Sequence, residues 1–173
     1  MARELLFSRR VYDWVRSLRS DAPETLLVAA RAHTVERWRI PRNRFPKDRA
    51  GYHQWRKTLA DFHADRADEV LRGLGYPDEF RNRVRELISR TNFPADADAQ
   101  TLEDADCLVF LETKLHKYLD EWGDPKTIQI LRKTLLKMTV EAKKIALELP
   151  LPARSSDLLR RAVQPDQFSN NET

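Results

Sequence analysis

Between Tyr52 and Leu74 the chain returns to an apolar or aromatic residue every third or fourth position. Tyr52, Trp55, Leu59, His63, Ala67, Val70 and Leu74 form the series, with Phe62 and Leu71 widening it. That interval is the pitch of an α-helix, and a stripe this long predicts one amphipathic helix from Tyr52 to Leu74. The same period recurs along the rest of the chain. Only 4 of 173 residues are glycine, and charged residues reach 34%. We therefore expect an all-α fold, a compact single-domain bundle of about six helices over residues 1–150. A C-terminal tail, 151–173, follows; it is polar, partly disordered and carries a short helix candidate at Leu158–Val163.

The boundaries come from local chemistry. A first helix spans Glu4 to Leu18, with Leu5, Leu6, Val11, Trp14, Val15 and Leu18 at helical spacing. Asp21, Pro23 and Glu24 suit a helix start, and the second helix is expected to run to about Arg39, before Pro41. Pro41 to Gly51 reads as a loop. Gly73, Gly75 and Pro77 end the third helix, and Asp78 to Arg90 forms the fourth. A fifth helix is expected from Leu102 to Trp122, and a sixth from Asp124 to Leu149, stopped by Pro150 and Pro152.

One cysteine, Cys107, excludes an intramolecular disulfide framework. The first residues lack the apolar core of a secretory signal. No apolar run approaches the roughly 20 residues of a membrane span. The expectation is a soluble, cytoplasmic protein without a membrane partner; the sequence does not fix an oligomeric state.

The charge is uneven. Residues 31–57 hold nine Lys or Arg and two acids, nine minus two giving +7, whereas the whole chain is +4. Such a patch fits either a phosphorylated partner or a merely solvated face. Within it, Leu26, Ala30, His33 and Arg37 share one face of the expected second helix, and His63 sits mid-stripe on the third. A lone inward histidine is usually hydrogen-bonded in a core. Two on neighbouring helices fit half of a metal site, since imidazole is the commonest metal-binding side chain. The acidic partner is expected in Leu102–Leu111. Periodicity turns Asp104 inward, with Leu108 and Leu111, and leaves Asp106 on a wetter face. Thr101 and Asp104 also match a capping pattern, a purely structural use of that acid.

The run FHADRADEVLRGLGYPDEFRNRVRELIS, from Phe62 to Ser89, resembles a helical unit of the HD-domain phosphohydrolase superfamily. RAHTVERW, holding His33, is similar to the segment of that superfamily's first histidine, and QTLEDADCL to the segment of its last metal-ligand aspartate. The adjacent His-Asp pair of the superfamily is absent. A narrower resemblance, carried by H-x-x-x-R-W-x-x-P-R, Y-x-x-W-R, F-H-A and L-E-D-x-x-C-L-V-F-L-E, is to an uncharacterised family, domain of unknown function 4202.

These resemblances imply an HD-like fold and a metal-dependent phosphohydrolase acting on a nucleotide or small phosphoester. His33, His63 and Asp104 would hold a divalent ion (Mn, Fe, Co, Ni, Zn or Mg). The superfamily pattern would choose Asp106 instead of Asp104. Glu103 and Asp106 are the catalytic candidates. Arg31, Arg37, Arg42, Arg49 and Arg66 would grip phosphate oxygens, and Trp38 or Tyr52 would cover a base or sugar. The alternative is a non-catalytic module that has lost the metal site and binds a nucleotide or RNA through the same basic and aromatic residues.

Overall fold

The computed structural model describes residues 3–164. Among these residues the fold is all helical, without a strand, as expected. Eight helices follow in order: α1 (Arg3–Leu18), α2 (Glu24–Ala32), α3 (Arg49–Gly73), α4 (Asp78–Ser89), α5 (Ala97–Thr113), α6 (Leu115–Leu135), α7 (Val140–Glu148) and α8 (Ala153–Val163). Helix α6 is broken in two at Gly123, whose φ of 69° and ψ of 163° suit glycine. Single 3-10 turns, Arg37–Arg39 and Arg42–Arg44, lie between α2 and α3. The chain forms two compact units, divided between Ala105 and Asp106. The expected tail begins with α8; its end, from residue 165, lies outside the described residues.

In the first unit, α1 packs on α2, α2 on α4, and α4 along α3. The core comprises Phe7, Val11 and Val15 from α1, Leu26, Ala29 and Ala30 from α2, Leu59, Ala64, Ala67 and Leu71 from α3, Val84, Leu87 and Ile88 from α4, and Leu102 from α5. Each large aliphatic side chain withdrawn from water here contributes about 1.5–3 kcal/mol. An ionic clasp ties α4 and α1 to the start of α5. Arg83 donates to Asp96 at 3.0 Å and to Asp98 at 2.7 Å, and Arg19 pairs with the same Asp98. In the second unit α6 packs on α8 around Leu119, Leu131, Leu158 and Leu159.

Several boundaries differ from the sequence expectation, for local reasons. Helix α2 stops at Ala32 instead of reaching Arg39. His33 caps it, and Glu36 adopts a left-handed conformation (φ 50°) that no helix can pass. Arg37 therefore sits on a 3-10 turn and not on the helical face of Leu26 and Ala30. Helix α3 starts earlier than Tyr52, because the Asp48 carboxylate accepts a hydrogen bond from the Gly51 amide at 2.7 Å. Its apolar stripe also drifts: Ala67, Asp68 and Leu71 are buried, while Val70 and Leu74 face water. The expected fifth and sixth helices are recut. Helix α5 starts at Ala97 behind Asp96, whose carboxylate accepts from the Ala99 amide at 3.1 Å. Thr139 caps α7 by accepting from Ala142, which splits the expected sixth helix.

Candidate functional site

The end of α2 meets the middle of α3 through hydrogen bonds that follow from the early stop of α2. Past Ala32 the chain turns, which frees carbonyl groups from the helical ladder. His63, on α3, donates its Nδ1–H to the Val35 carbonyl at 2.7 Å. His33 donates its own Nδ1–H to the Ala30 carbonyl at 3.0 Å. In a neutral ring this pattern leaves the lone pair on Nε2. His63 is 2% exposed, so the inward placement read from its stripe is correct. Its Nε2 is buried and has no hydrogen-bond partner among the described residues. The Thr34 hydroxyl, beside His33, is likewise buried without a partner among the described residues.

The electrostatics around His63 are cationic. Burial, above all, lowers its pKa from 6.5 to about 4; the bond to the Val35 carbonyl opposes this, and the charges of Arg37, His33 and Arg56 add to it. His33 and Arg37 are thus both within electrostatic reach of His63. Arg56 is a participant that the sequence reading missed. It lies seven residues before His63 on α3, with Ala60 between, so the three share one helical face. That spacing was visible in Y-x-x-W-R and F-H-A.

The basic loop is organised on Trp55. The guanidinium groups of Arg37 and Arg42 lie 4.9 and 5.9 Å from the Trp55 ring, and the indole N–H donates to the Ile40 carbonyl at 2.9 Å. Arg42 also donates to the Phe45 carbonyl at 2.9 Å. Arg66 pairs with Glu36 at 3.3 Å and with Glu69 at 2.5 Å, and Arg39 shares Glu36 at 3.0 Å. Much of the expected anion-gripping rim is therefore already engaged within the protein. Arg31 is half-buried at the end of α2, and Arg49 is exposed at the start of α3. Trp38 is 59% exposed and Tyr52 46%, so both present an aromatic face to solvent.

Asp104 is 4% exposed and Asp106 half-buried, which agrees with the periodicity. The capping use of Asp104 does not hold. Helix α5 begins at Ala97, Thr101 donates back to the Ala97 carbonyl at 2.9 Å, and Asp104 accepts from Gln100 at 3.0 Å one turn into the helix. Glu103 is buried and lies 2.6 Å from Arg90, which gives it a structural ion pair in place of the open position a base needs.

The donor set does not make a resident metal centre as it stands. Among the described residues no group of three His, Cys, Asp or Glu side chains is gathered to hold an ion. The field of Arg37 and Arg56 also opposes a cation at His63. Among the described residues no helix is long and apolar enough to cross a membrane.

A family model described as Domain of unknown function (DUF4202) matches residues 1–159, and the chain belongs to that family. No curated protein and no solved structure matches it, so the HD-like resemblance has no support beyond the motifs themselves.

Proposed function

We propose that this DUF4202 protein acts on a phosphorylated small molecule, a nucleotide or small phosphoester, held beside the His33–His63 pair. One observation carries the reading: the Nε2 of His63 is a buried hydrogen-bond acceptor with no donor among the described residues, set in the positive field of Arg37 and Arg56. Leaving such a group unsatisfied costs about 1–3 kcal/mol. A cation is disfavoured there by charge, and a neutral apolar group would leave the nitrogen bare. An anion that also carries a hydroxyl, as a sugar phosphate or nucleotide does, meets both demands. With a pKa of about 4 the ring is neutral at pH 7 and a weak proton acceptor. Its part is to orient a hydroxyl or a water.

The reaction we propose is phosphoester hydrolysis. A divalent ion would enter bound to the phosphoryl oxygens and not to His63, and would there supply a water of low pKa. The test is phosphate release from a panel of nucleotides and small phosphoesters by the purified chain, with Mn, Fe, Co, Ni, Zn and Mg each added in turn, alongside His63→Gln. Release by the wild type that drops at least tenfold in the variant supports the reading. Release unchanged in the variant removes His63 from the site. No release with any ion, together with no binding of the panel, removes the proposal.

A second reading, a binding module for RNA, draws on the exposed faces of Trp38 and Tyr52 beside a basic segment. It predicts RNA affinity that falls steeply with salt and no phosphate release.

A further inference from the structure

The longest stretch of the chain without an acid runs from Pro125 to Val140, along the second half of α6 and the turn into α7. It carries Lys126, Arg132, Lys133 and Lys137. The helical period sorts these residues. Thr127, Leu131, Leu135 and Met138 are buried and form the inner face. Lys126, Gln129, Lys133, Leu136 and Lys137 fall on the opposite side, within about a third of the helix circumference, and all are exposed. Leu136 is 80% exposed, and Val140, the first residue of α7, is 61% exposed. Lys126 and Lys133 enter no ion pair among the described residues. The acids that bound the stretch, Asp124 and Glu141, are already engaged with Arg154 at 2.9 Å and with Lys144 at 3.6 Å. The second unit therefore presents a basic helical face with two large apolar side chains at one end.

We infer that this face docks on an anionic membrane surface, with Lys126, Lys133 and Lys137 against the lipid headgroups and Leu136 and Val140 at the acyl boundary. The inference is independent of the phosphoester reading, which concerns the first unit. The expectation of no membrane partner rested on the lack of a spanning run, and a helix that lies in the interface needs none. Charge sets the sign of the partner, since no carboxylate interrupts the face. The apolar pair sets its class. A nucleic-acid backbone would take the lysines but gain nothing from Leu136 and Val140, and no aromatic residue for base stacking occurs between Pro125 and Val140. An amphipathic peptide docks in a groove, whereas this is the outer ridge of one helix. A lipid surface uses both the cations and the apolar end.

The experiment is co-sedimentation of the full chain, at low ionic strength, with vesicles of phosphatidylcholine alone and of phosphatidylcholine mixed with phosphatidylserine. Wild type is compared with Lys126→Gln/Lys133→Gln, with Leu136→Gln, and with Arg44→Gln/Lys47→Gln, which removes two exposed cations from the basic patch of the first unit. A lysine near an anionic surface is worth about fivefold in partitioning, so the α6 double variant is expected to bind the phosphatidylserine vesicles roughly 20–30-fold more weakly. Leu136→Gln is expected to weaken vesicle binding severalfold and to leave retention on heparin, a polyanion without an acyl phase, unchanged. Wild-type binding that needs phosphatidylserine, with these two losses and a smaller one in the Arg44/Lys47 variant, supports the surface. Loss confined to the Arg44/Lys47 variant moves the contact to the first unit and overturns the inference. Leu136→Gln that binds vesicles like the wild type reduces the face to a general polyanion site and overturns it as well. So does wild-type binding that is absent, or equal with and without phosphatidylserine.

Discussion

Acid should unfold this protein earlier than its carboxylates alone require, and His63 is the reason. Its pKa is 6.5 when unfolded and about 4 when folded. Between those values the unfolded chain takes up a proton that the folded one refuses. The stabilisation is therefore complete above about pH 6.5 and drains away as the pH falls toward 4. The whole difference corresponds to about 3 kcal/mol. Of this, about 2 kcal/mol is lost between pH 7 and pH 5. For a chain of this size that lowers the melting temperature by roughly 4–8 °C. His33, Arg37 and Arg56 supply the cationic surroundings and stay as they are in the comparison. The assay is urea unfolding and thermal melting at pH 7 and pH 5 for wild type and His63→Gln. The variant, with no ring to protonate, should lose about 2 kcal/mol less over that interval. Equal losses in the two proteins would refute the reasoning. So would a proton NMR titration placing the His63 imidazole above pH 6.

The other predictions concern the scaffold. Asp96→Asn removes a carboxylate that Arg83 holds at about 2, well below the usual range. It should cost no more than about 2 kcal/mol at neutral pH, with the deficit closing as the pH falls from 4 toward 2; denaturation at pH 7 and pH 2.5 reads it. Gly51→Ala would put a Cβ 2.3 Å from the Pro46 carbonyl oxygen, so loop or helix must shift. A loss of about 1–3 kcal/mol is expected, together with altered fluorescence from Trp55. Glu103→Gln should cost about 1–2 kcal/mol by weakening the pair with Arg90. Loss of phosphate release with stability unchanged would instead make Glu103 a reacting group.

How much of this was legible in the sequence depended on whether the cue was local. The stripe centred on Leu59 and His63 placed that histidine inside correctly, because a period set by backbone geometry holds across a long helix. The inward turn of Asp104 was read by the same rule. What failed turned on a single backbone conformation. Nothing in the residues around Glu36 announces a left-handed turn, since glutamate has no preference for one, so the early end of α2 stayed hidden. Thr101 and Asp104 matched a capping pattern that the true start at Asp96, five residues earlier, made irrelevant. The drift of the α3 stripe reflects Asp68, which is drawn inward to meet Arg81 at 2.6 Å; that contact depends on tertiary packing. The convergence of Arg56 on His63 was within reach of helical spacing. The ion pair between Arg90 and Glu103 was not, because it joins separate helices.

Trp55 works like a mast to which the rigging of residues 37–45 is already tied. Its indole N–H holds one carbonyl, and two guanidinium groups lie over its ring before any guest arrives. A basic segment that wandered freely would surrender its freedom on meeting an anion, and affinity would fall by that amount. Here much of the ordering is completed during folding. Association with an anion of the kind proposed should then resemble docking onto a finished surface, with a rate set mainly by charge and diffusion.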